Sequence, residues 1–409
     1  MIKILAIASD KTGVGYFRSL RPHQKLQELY PEDFHVDIAY NNEPMKVDEL
    51  IKYDIIHFHK TIANYEQMAE ITNHLRANGV ITIMDLDDHW APDTRHPAYH
   101  LIKSGDLDKK IPANLKLVDA VTTTTTIFAD EIKKRNPNVY VIPNAIDKDD
   151  TQYQPNPVES NKLRVGWLGG SSHKHDIKLL DGMSNKLSAS GVISNIQFVV
   201  CGFDLRGFMS ERNAVTNETV RRPITPKESV WYEYEKIFTD NYNIASPEYK
   251  RFLDAFQEVP YPNISEQPYN RVWTKPIDEY ANSYNLFDVS LAPLEDSAFN
   301  RVKSQLKVLE AGFHKKALIA SEVGPYKIDL INAYEKGGSI NPNGNALLVP
   351  KGGDKKLWAK YVKLLSENPD LVSMLANNLH NTVKDKYELA NVTKDRADIY
   401  KEIYKKFKK

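Results

Sequence analysis

The first third of the chain repeats one pattern: a short apolar run, a polar turn, then an amphipathic stretch. Ile2–Ala8, Val36–Ala39, Tyr53–His59, Val80–Met84, Ala120–Thr123 and Val139–Ile142 are the apolar runs. Helical spacing falls at Tyr16–Leu29, Tyr65–Ala77 and Phe128–Lys134. Runs that are apolar throughout suit strands buried on both faces. Their alternation with helices predicts a doubly wound parallel sheet. Residues 148–161 are polar and proline-containing, as a linker is. The pattern then restarts with strands at Leu163–Leu168, Ile196–Cys201, Val289–Ala292, Ala317–Ala320 and Ala346–Val349. Helices are predicted at Ile177–Ser188, Leu357–Ser366 and Leu371–Tyr387.

The reading is therefore an α/β chain of two similar domains, 1–150 and 162–385, joined by 151–161. Its length of 409 residues, too great for one typical core, agrees. Residues 204–275 break the alternation, with many tyrosines and few clear strands, and read as an insertion carrying short helices. Contact with an acceptor, contact with a partner subunit and padding of the core all stay open for it.

Charge changes the picture by exclusion. Lys+Arg and Asp+Glu both total 54, so no global basic field exists to hold nucleic acid. Cys201 is the single cysteine, so no intrachain disulfide forms, in keeping with a reducing, cytoplasmic setting. Met1–Ser9 is apolar but too short for a membrane span and lacks a cleavage-site context, and no other stretch is long enough to span. The terminal KEIYKKFKK suits a solvated helix end, with a peripheral membrane contact as the alternative.

Residues 291–312, LAPLEDSAFNRVKSQLKVLEAG, carry the most chemistry. A helix starting near Asn300 would set Lys303, Lys307 and Glu310 at i, i+4 and i+7, on one face. Asn300 and Ser304 would sit at its entrance, where free N–H groups favour an anion. A phosphate there and a diol on Glu310 would suit a nucleotide-sugar diphosphate. On an arbitrary helix such charges are simply a solvated face. Here they follow a buried strand, and ligands of parallel sheets lie beyond the strands' carboxyl ends.

Three other segments are candidates. Gly13 and Gly15 join the first strand to the first helix, with Arg18 and Arg21 following, without a complete G-x-G-x-x-G. Ligand approach and plain turn packing are both compatible with them. Gly169, Gly170, Ser171 and Ser172 form the second domain's equivalent turn, small enough to admit a phosphate, with Lys174 beside it. Asp85, Asp87 and Asp88 end a first-domain strand, where mutual repulsion argues against a purely structural role. A divalent-metal site, acceptor binding or base catalysis, and a capped solvated loop are the three readings. His57 and His59 share a strand face, and no third metal ligand accompanies them.

With these motifs in their order, the chain resembles GT-B-fold glycosyltransferases of the family-4 (group 1) type. The resemblance rests on Gly13–Gly15, on Val141–Asp147 (VIPNAID), on Val165–Gly170 (VGWLGG) and on Leu291–Gly312. It implies two Rossmann-like domains facing across a cleft. The acceptor would lie on the first domain, at Gly13, Gly15, Arg18 and His59, and the donor on the second. Residues 386–409 would form a helix crossing back to the first domain. Glu310 resembles the second glutamate of the family's E-x7-E motif, which holds the donor ribose. The first would fall at Val302 and is absent. Asn300, Lys303, Ser304, Lys307 and Glu310 fit an N-x-x-K-S-x-x-K-x-x-E version instead.

The resemblance implies a retaining transfer from a nucleotide-diphosphate sugar to a glycan or other hydroxyl, with no metal or cofactor required. Lys303 and Lys307 would stabilise the leaving diphosphate, and an Asp of 85–88 would orient the acceptor. The family's histidine after the fourth strand is replaced by Asp85–Asp88. Rival functions are glycosylation of hydroxylated DNA bases, a non-catalytic sugar-nucleotide or glycan-binding module, and an epimerase of the same fold. Neutral net charge does not favour a nucleic-acid partner. The oligomeric state has no signature.

Overall fold

A computed structural model describes residues 1–408 apart from 42–44, 213–218, 240–245, 257–266 and 353–354. The apolar runs form two six-stranded sheets. The first contains β1 (Ile2–Ala8), β2 (Phe34–Tyr40), β3 (Ile55–His59), β4 (Ile81–Leu86), β5 (Ala120–Thr123) and β6 (Val139–Val141), in the order β2-β1-β3-β4-β5-β6. All its pairings are parallel. β3 and β4 run in a register that sets His59 beside Asp85. The order reverses between β1 and β3, so a crevice opens at their carboxyl ends.

The second sheet contains β7 (Leu163–Leu168), β8 (Ile196–Phe203), β11 (Tyr269–Trp273), β12 (Val289–Ala292), β13 (Ala317–Ser321) and β14 (Leu347–Val349). Its order is β11-β8-β7-β12-β13-β14, again all parallel, with the reversal between β7 and β12. The turns after β7 and β12 carry Gly169–Ser172 and Pro293–Lys303, so the switch point brings these two segments together.

Within 204–275, among the described residues, the hairpin of β9 (Phe208–Arg212) and β10 (Thr219–Pro223) stands apart from the main sheet. The helix Val230–Phe238 buries Trp231, Tyr234 and Phe238 in the second domain's core, and β11 is an edge strand of its sheet. What disguised β11 is Arg271, buried in its middle and paired with Glu235 of that helix at 2.5 Å.

The helix Leu389–Phe407 returns to the first domain. Val392, Ala397, Tyr400 and Ile403 close the face of the first sheet lined by Ile4, Ile55 and Ile83. Lys401 and Lys408 pair with Asp33 and Asp54, both at 2.6 Å. The aromatic positions of the terminal motif thus face protein. The two chain crossings bind each other: the Ile146 N–H donates to the Tyr387 carbonyl at 2.9 Å, and the Leu389 N–H to the Ile146 carbonyl at 2.8 Å. Among the described residues no helix is long and apolar enough to cross a membrane.

The first domain has one buried ion pair at its centre. Gly15–Leu20 is wound as a π-helix that runs directly into the α-helix Arg21–Leu29. A Cβ at Gly15 would lie 1.9 Å from the Asp10 carbonyl oxygen, so turn packing demands that glycine. The tight entry points Arg18 inward, where its Nε and Nη2 donate to the two carboxylate oxygens of Asp85 at 2.9 and 2.7 Å. Nη1 donates to the Ile142 carbonyl at 2.7 Å. Both side chains are essentially inaccessible. Removing one partner of such a pair leaves an uncompensated buried charge, at a cost of about 3–5 kcal/mol. Urea unfolding followed by first-domain probes is expected to show that loss for Arg18→Met. Arg18→Met/Asp85→Leu is expected to recover most of it, because no charge is then left buried.

Candidate active site

The second domain supplies a turn and two lysines. β7 ends at Leu168, and the Gly169 N–H donates to the Cys201 carbonyl at 3.2 Å. A Cβ on Gly169 would sit 2.5 Å from the Trp167 ring and 3.2 Å from Lys307 Nζ. The Trp167 ring is what demands glycine here, and Lys307 lies against the same turn. Lys307 donates to the Leu168 carbonyl and lies 5.5 Å over the Trp167 ring. Burial lowers its pKa, and Glu310 works in the opposite direction. Lys174, in contrast, turns outward to Glu233 at 2.8 Å.

The helix expected from Asn300 begins later. Asn300–Val302 is a single 3-10 turn, Lys303 is extended at φ −58° and ψ 166°, and the α-helix runs over Leu306–Phe313. Lys307 and Glu310 keep their helical spacing, but Lys303 sits on the preceding loop. Tertiary contacts impose the break. Asn300 Nδ2 donates to Asp176 Oδ1 at 3.0 Å and to the Glu295 carbonyl at 2.9 Å. Val302 inserts into the first domain's core beside Leu86, Trp90 and Phe128. Ser304 Oγ accepts from Asn144 of the first domain at 3.0 Å. Neither Asn300 nor Ser304 is at a helix entrance. Lys303 forms no ion pair among the described residues, and its ammonium lies 5.2 Å from the Phe299 ring.

Asp176, which the sequence reading passed over, organises this half. It accepts from Asn300, from the Glu295 N–H at 2.8 Å and from His173 Nδ1 at 2.8 Å. It therefore ties the glycine turn to the loop after β12. Glu310 is buried, with one carboxylate oxygen accepting from Tyr280 and the other from Tyr284 at 2.9 Å. Burial raises its pKa, with Lys307 and the tyrosine hydroxyls opposing. A ribose diol would reach it only by displacing a tyrosine hydroxyl.

The first domain's three aspartates separate into different roles. Asp85 is the inaccessible partner of Arg18 and also accepts from Thr122 Oγ1 at 2.7 Å. Burial works against its ionisation, but Arg18 more than offsets this and holds the pKa at about 2. Asp85 and Arg18 saturate one another, so neither is placed to meet an acceptor. Asp87 accepts from His59 Nε2 at 2.8 Å and lies 3.8 Å from Lys60 Nζ. Burial opposes its charge, while Lys60 and His59 hold its pKa well below the usual range. Asp88 has no hydrogen-bond or ion-pair partner among the described residues. Burial, then the Asp87 charge, raises its pKa; Lys303, Lys60 and His59 act against this. Of the expected cluster, Asp88 alone is unengaged at the cleft. Among the described residues no group of three His, Cys, Asp or Glu side chains is gathered as a metal site.

Across the cleft, the loop after β4 meets the second domain. Arg95 Nη1 pairs with Glu295 at 2.7 Å, and His175 Nε2 bonds the Arg95 carbonyl at 3.1 Å. The His96 and Phe299 rings meet in a tilted contact with centroids 4.4 Å apart. Burial and then Lys303 lower the His96 pKa, so the ring is neutral near pH 7. The space between, about 360 Å³, is lined by His96, Ser172, His175, Asn300 and Lys303 among others. Sequence reading missed Arg95, His96, Glu295 and Phe299. The polar run between Pro92 and Pro97 was the one local signal for Arg95 and His96.

No family model matches the sequence, and no curated protein matches it. Solved structures do match in three dimensions. A glycosyltransferase from Rickettsia africae superposes with TM-score 0.62 at 12% identity, over 99% of each chain. Anabaena HepE, solved with UDP-glucose, gives 0.59 at 12%, over 98% of this chain and 100% of that one. An alpha-glucosyltransferase in complex with UDP-glucose and DNA containing an abasic site gives 0.58 at 11%, over 98% and 99%. The chain has the GT-B fold. At such identities the likeness is one of fold; in this chain Lys303 of the second domain lies near enough to Asp88 of the first to favour its charged form.

The contrast between the aspartates is measurable without substrate. Asp85→Asn is expected to lower the melting temperature at pH 7 by weakening the Arg18 pair, whereas Asp88→Asn is expected to hold or raise it. The sign follows from linkage. A carboxyl whose folded pKa is raised binds more protons folded than unfolded, so stability falls as pH rises above its ordinary value of about 4. The gain from Asp88→Asn should therefore be absent below that pH and open above it in paired thermal melts.

Proposed function

We propose that this protein is a glycosyltransferase that moves a sugar from a nucleotide-diphosphate sugar to an acceptor hydroxyl, with retention at the anomeric carbon. The observation that carries the reading is the juxtaposition in the cleft. Small backbone at Gly169–Ser172 and the lysines 303 and 307 lie on one side, and the unpaired Asp88 lies on the other. GT-B structures solved with UDP-glucose support it as the same architecture.

In this reading the donor diphosphate lies along the glycine turn. Lys303, which has no carboxylate partner, and Lys307 meet its charge. As the sugar–phosphate bond breaks, negative charge builds on the leaving oxygen, where fixed cations in a site shielded from water stabilise it most. The acceptor hydroxyl attacks the same face, oriented by Asp88, and its proton passes to the departing phosphate. The lysines supply the charge that a divalent ion would supply, so turnover is proposed to persist in excess EDTA. Glu310 takes the donor ribose only after Tyr280 yields, which makes ribose binding and local rearrangement one event.

The test begins with thermal-shift screening against common nucleoside diphosphates and their sugars, since a ligand of the native state raises the melting point by mass action. One nucleotide series is expected to give a clear shift. With that donor, Lys303→Ala is expected to lower kcat by roughly 10²–10³-fold, the loss typical of one charge-stabilising donor. NMR of the anomeric proton at early times reads the stereochemistry. No shift with any nucleotide and no donor hydrolysis would overturn the proposal in favour of a binding protein.

A further inference from the structure

Four non-glycine residues among those described have positive φ: Lys60, Asp106, Phe256 and Lys315. Three follow helices directly and end them, as their N–H bonds back to Lys103, Leu253 and Gly312 show. Left-handed backbone is the ordinary exit there. Lys60 is different. It follows β3, at φ +63°, and the Thr61 N–H donates to the His59 carbonyl at 2.7 Å across it. A two-residue closure around a positive φ is the rarer, strained hand of γ-turn. Such strain costs on the order of 1–3 kcal/mol and persists where the surroundings over-determine it. Glycine would relieve it.

The location adds the second observation. β3 flanks the first sheet's order reversal, and Lys60 stands at its carboxyl end. Its Nζ lies 3.8 Å from Asp87 Oδ1, the oxygen that also accepts from His59. The turn carries a long cation back over the strand ends, to where two carboxylates adjoin.

We propose that Lys60 is a positioning residue of the acceptor side: its strained turn aims the ammonium at Asp87, fixing Asp87 with His59 and leaving the neighbouring Asp88 ionised and free to take a hydroxyl. This rests on the reading of Asp88 given above. Asp88 is faced by Asp87 and His89 of its own segment, Lys60 and His59 of β3, His96 of the following loop, and Lys303 of the second domain. Lys60 and Lys303 are its two lysines, one from each domain, and only Lys60 is present without domain contact.

The experiment titrates Asp88 directly, by the carboxyl carbon signal that Asp88→Asn removes, in protein labelled with ¹³C at aspartate carboxyls. Lys60→Met and Lys60→Gly are each expected to raise its midpoint by about half a pH unit or more, since a cation within several ångströms favours the charged form. Lys60→Arg is expected to restore it. Lys60→Gly is also expected to melt no lower than the wild type. An unmoved midpoint in both Lys60→Met and Lys60→Gly overturns the proposal. The acid limb of kcat/KM should rise with the midpoint. A midpoint that moves while the limb stays would leave Lys60 acting on Asp88 and overturn the role given to Asp88 in turnover.

Discussion

The arrangement of the cleft depends on the buried pair between Arg18 and Asp85. A guanidinium offers five donors in a fixed plane, and here they reach two separate segments: the end of β4, and the stretch that carries the Ile142 carbonyl and Asn144. Asn144 in turn donates to Ser304 of the second domain. One cation thus fixes the strand end from which Asp87 and Asp88 project and the first chain crossing between domains. It also fixes the loop that holds Lys303. An isolated charge so deep would be intolerable, so its partners are as constrained as it is.

That constraint explains how three nearby carboxylates avoid mutual repulsion. Asp85 is neutralised from below by Arg18. Asp87 is held by His59 and Lys60 at the rim. With two of the three charges matched locally, the third remains for the cleft. The same division recurs opposite: Lys307 is bonded to the Leu168 carbonyl, whereas Lys303 forms no ion pair among the described residues. Each domain so presents one unengaged charge beside engaged ones of the same sign, Asp88 in the first and Lys303 in the second.

Much of this fold was legible because strands of a parallel sheet, covered on both faces, must be apolar throughout. β1, β4, β7 and β12 stood out for that reason. β11 did not, since Tyr-Asn-Arg-Val-Trp is an edge strand whose buried arginine is paired with Glu235 on the helix Val230–Phe238, 36 residues away. The break at Lys303 was invisible for a similar reason. Its local sequence favours a continuous helix, and the contacts that unwind it come from Asp176 and from the first domain's core. Nor could spacing separate Asp85 from Asp88, because the discriminating partner, Arg18, lies 67 residues away. The glycine turn and the lysines were readable because their chemistry is local; their availability was not, because it depends on who else reaches them.

Opening of the cleft would meet very unequal resistance. At the pivot, Ile146 bonds the Tyr387 and Leu389 backbone, so the two crossings turn together and lose nothing. At the rim, Arg95 is exposed and Glu295 half-buried, and ion pairs so open to solvent contribute little. The interior is different: Val302 would have to leave an apolar core, and Asn144 would have to release Ser304. The segment Asn300–Ser304 is therefore the element that feels closure most. It also carries Lys303, so that cation is coupled to domain position, while Lys307, held on the helix and against its own domain's turn, is not. The break that spoiled the predicted helix is what gives the two lysines different work.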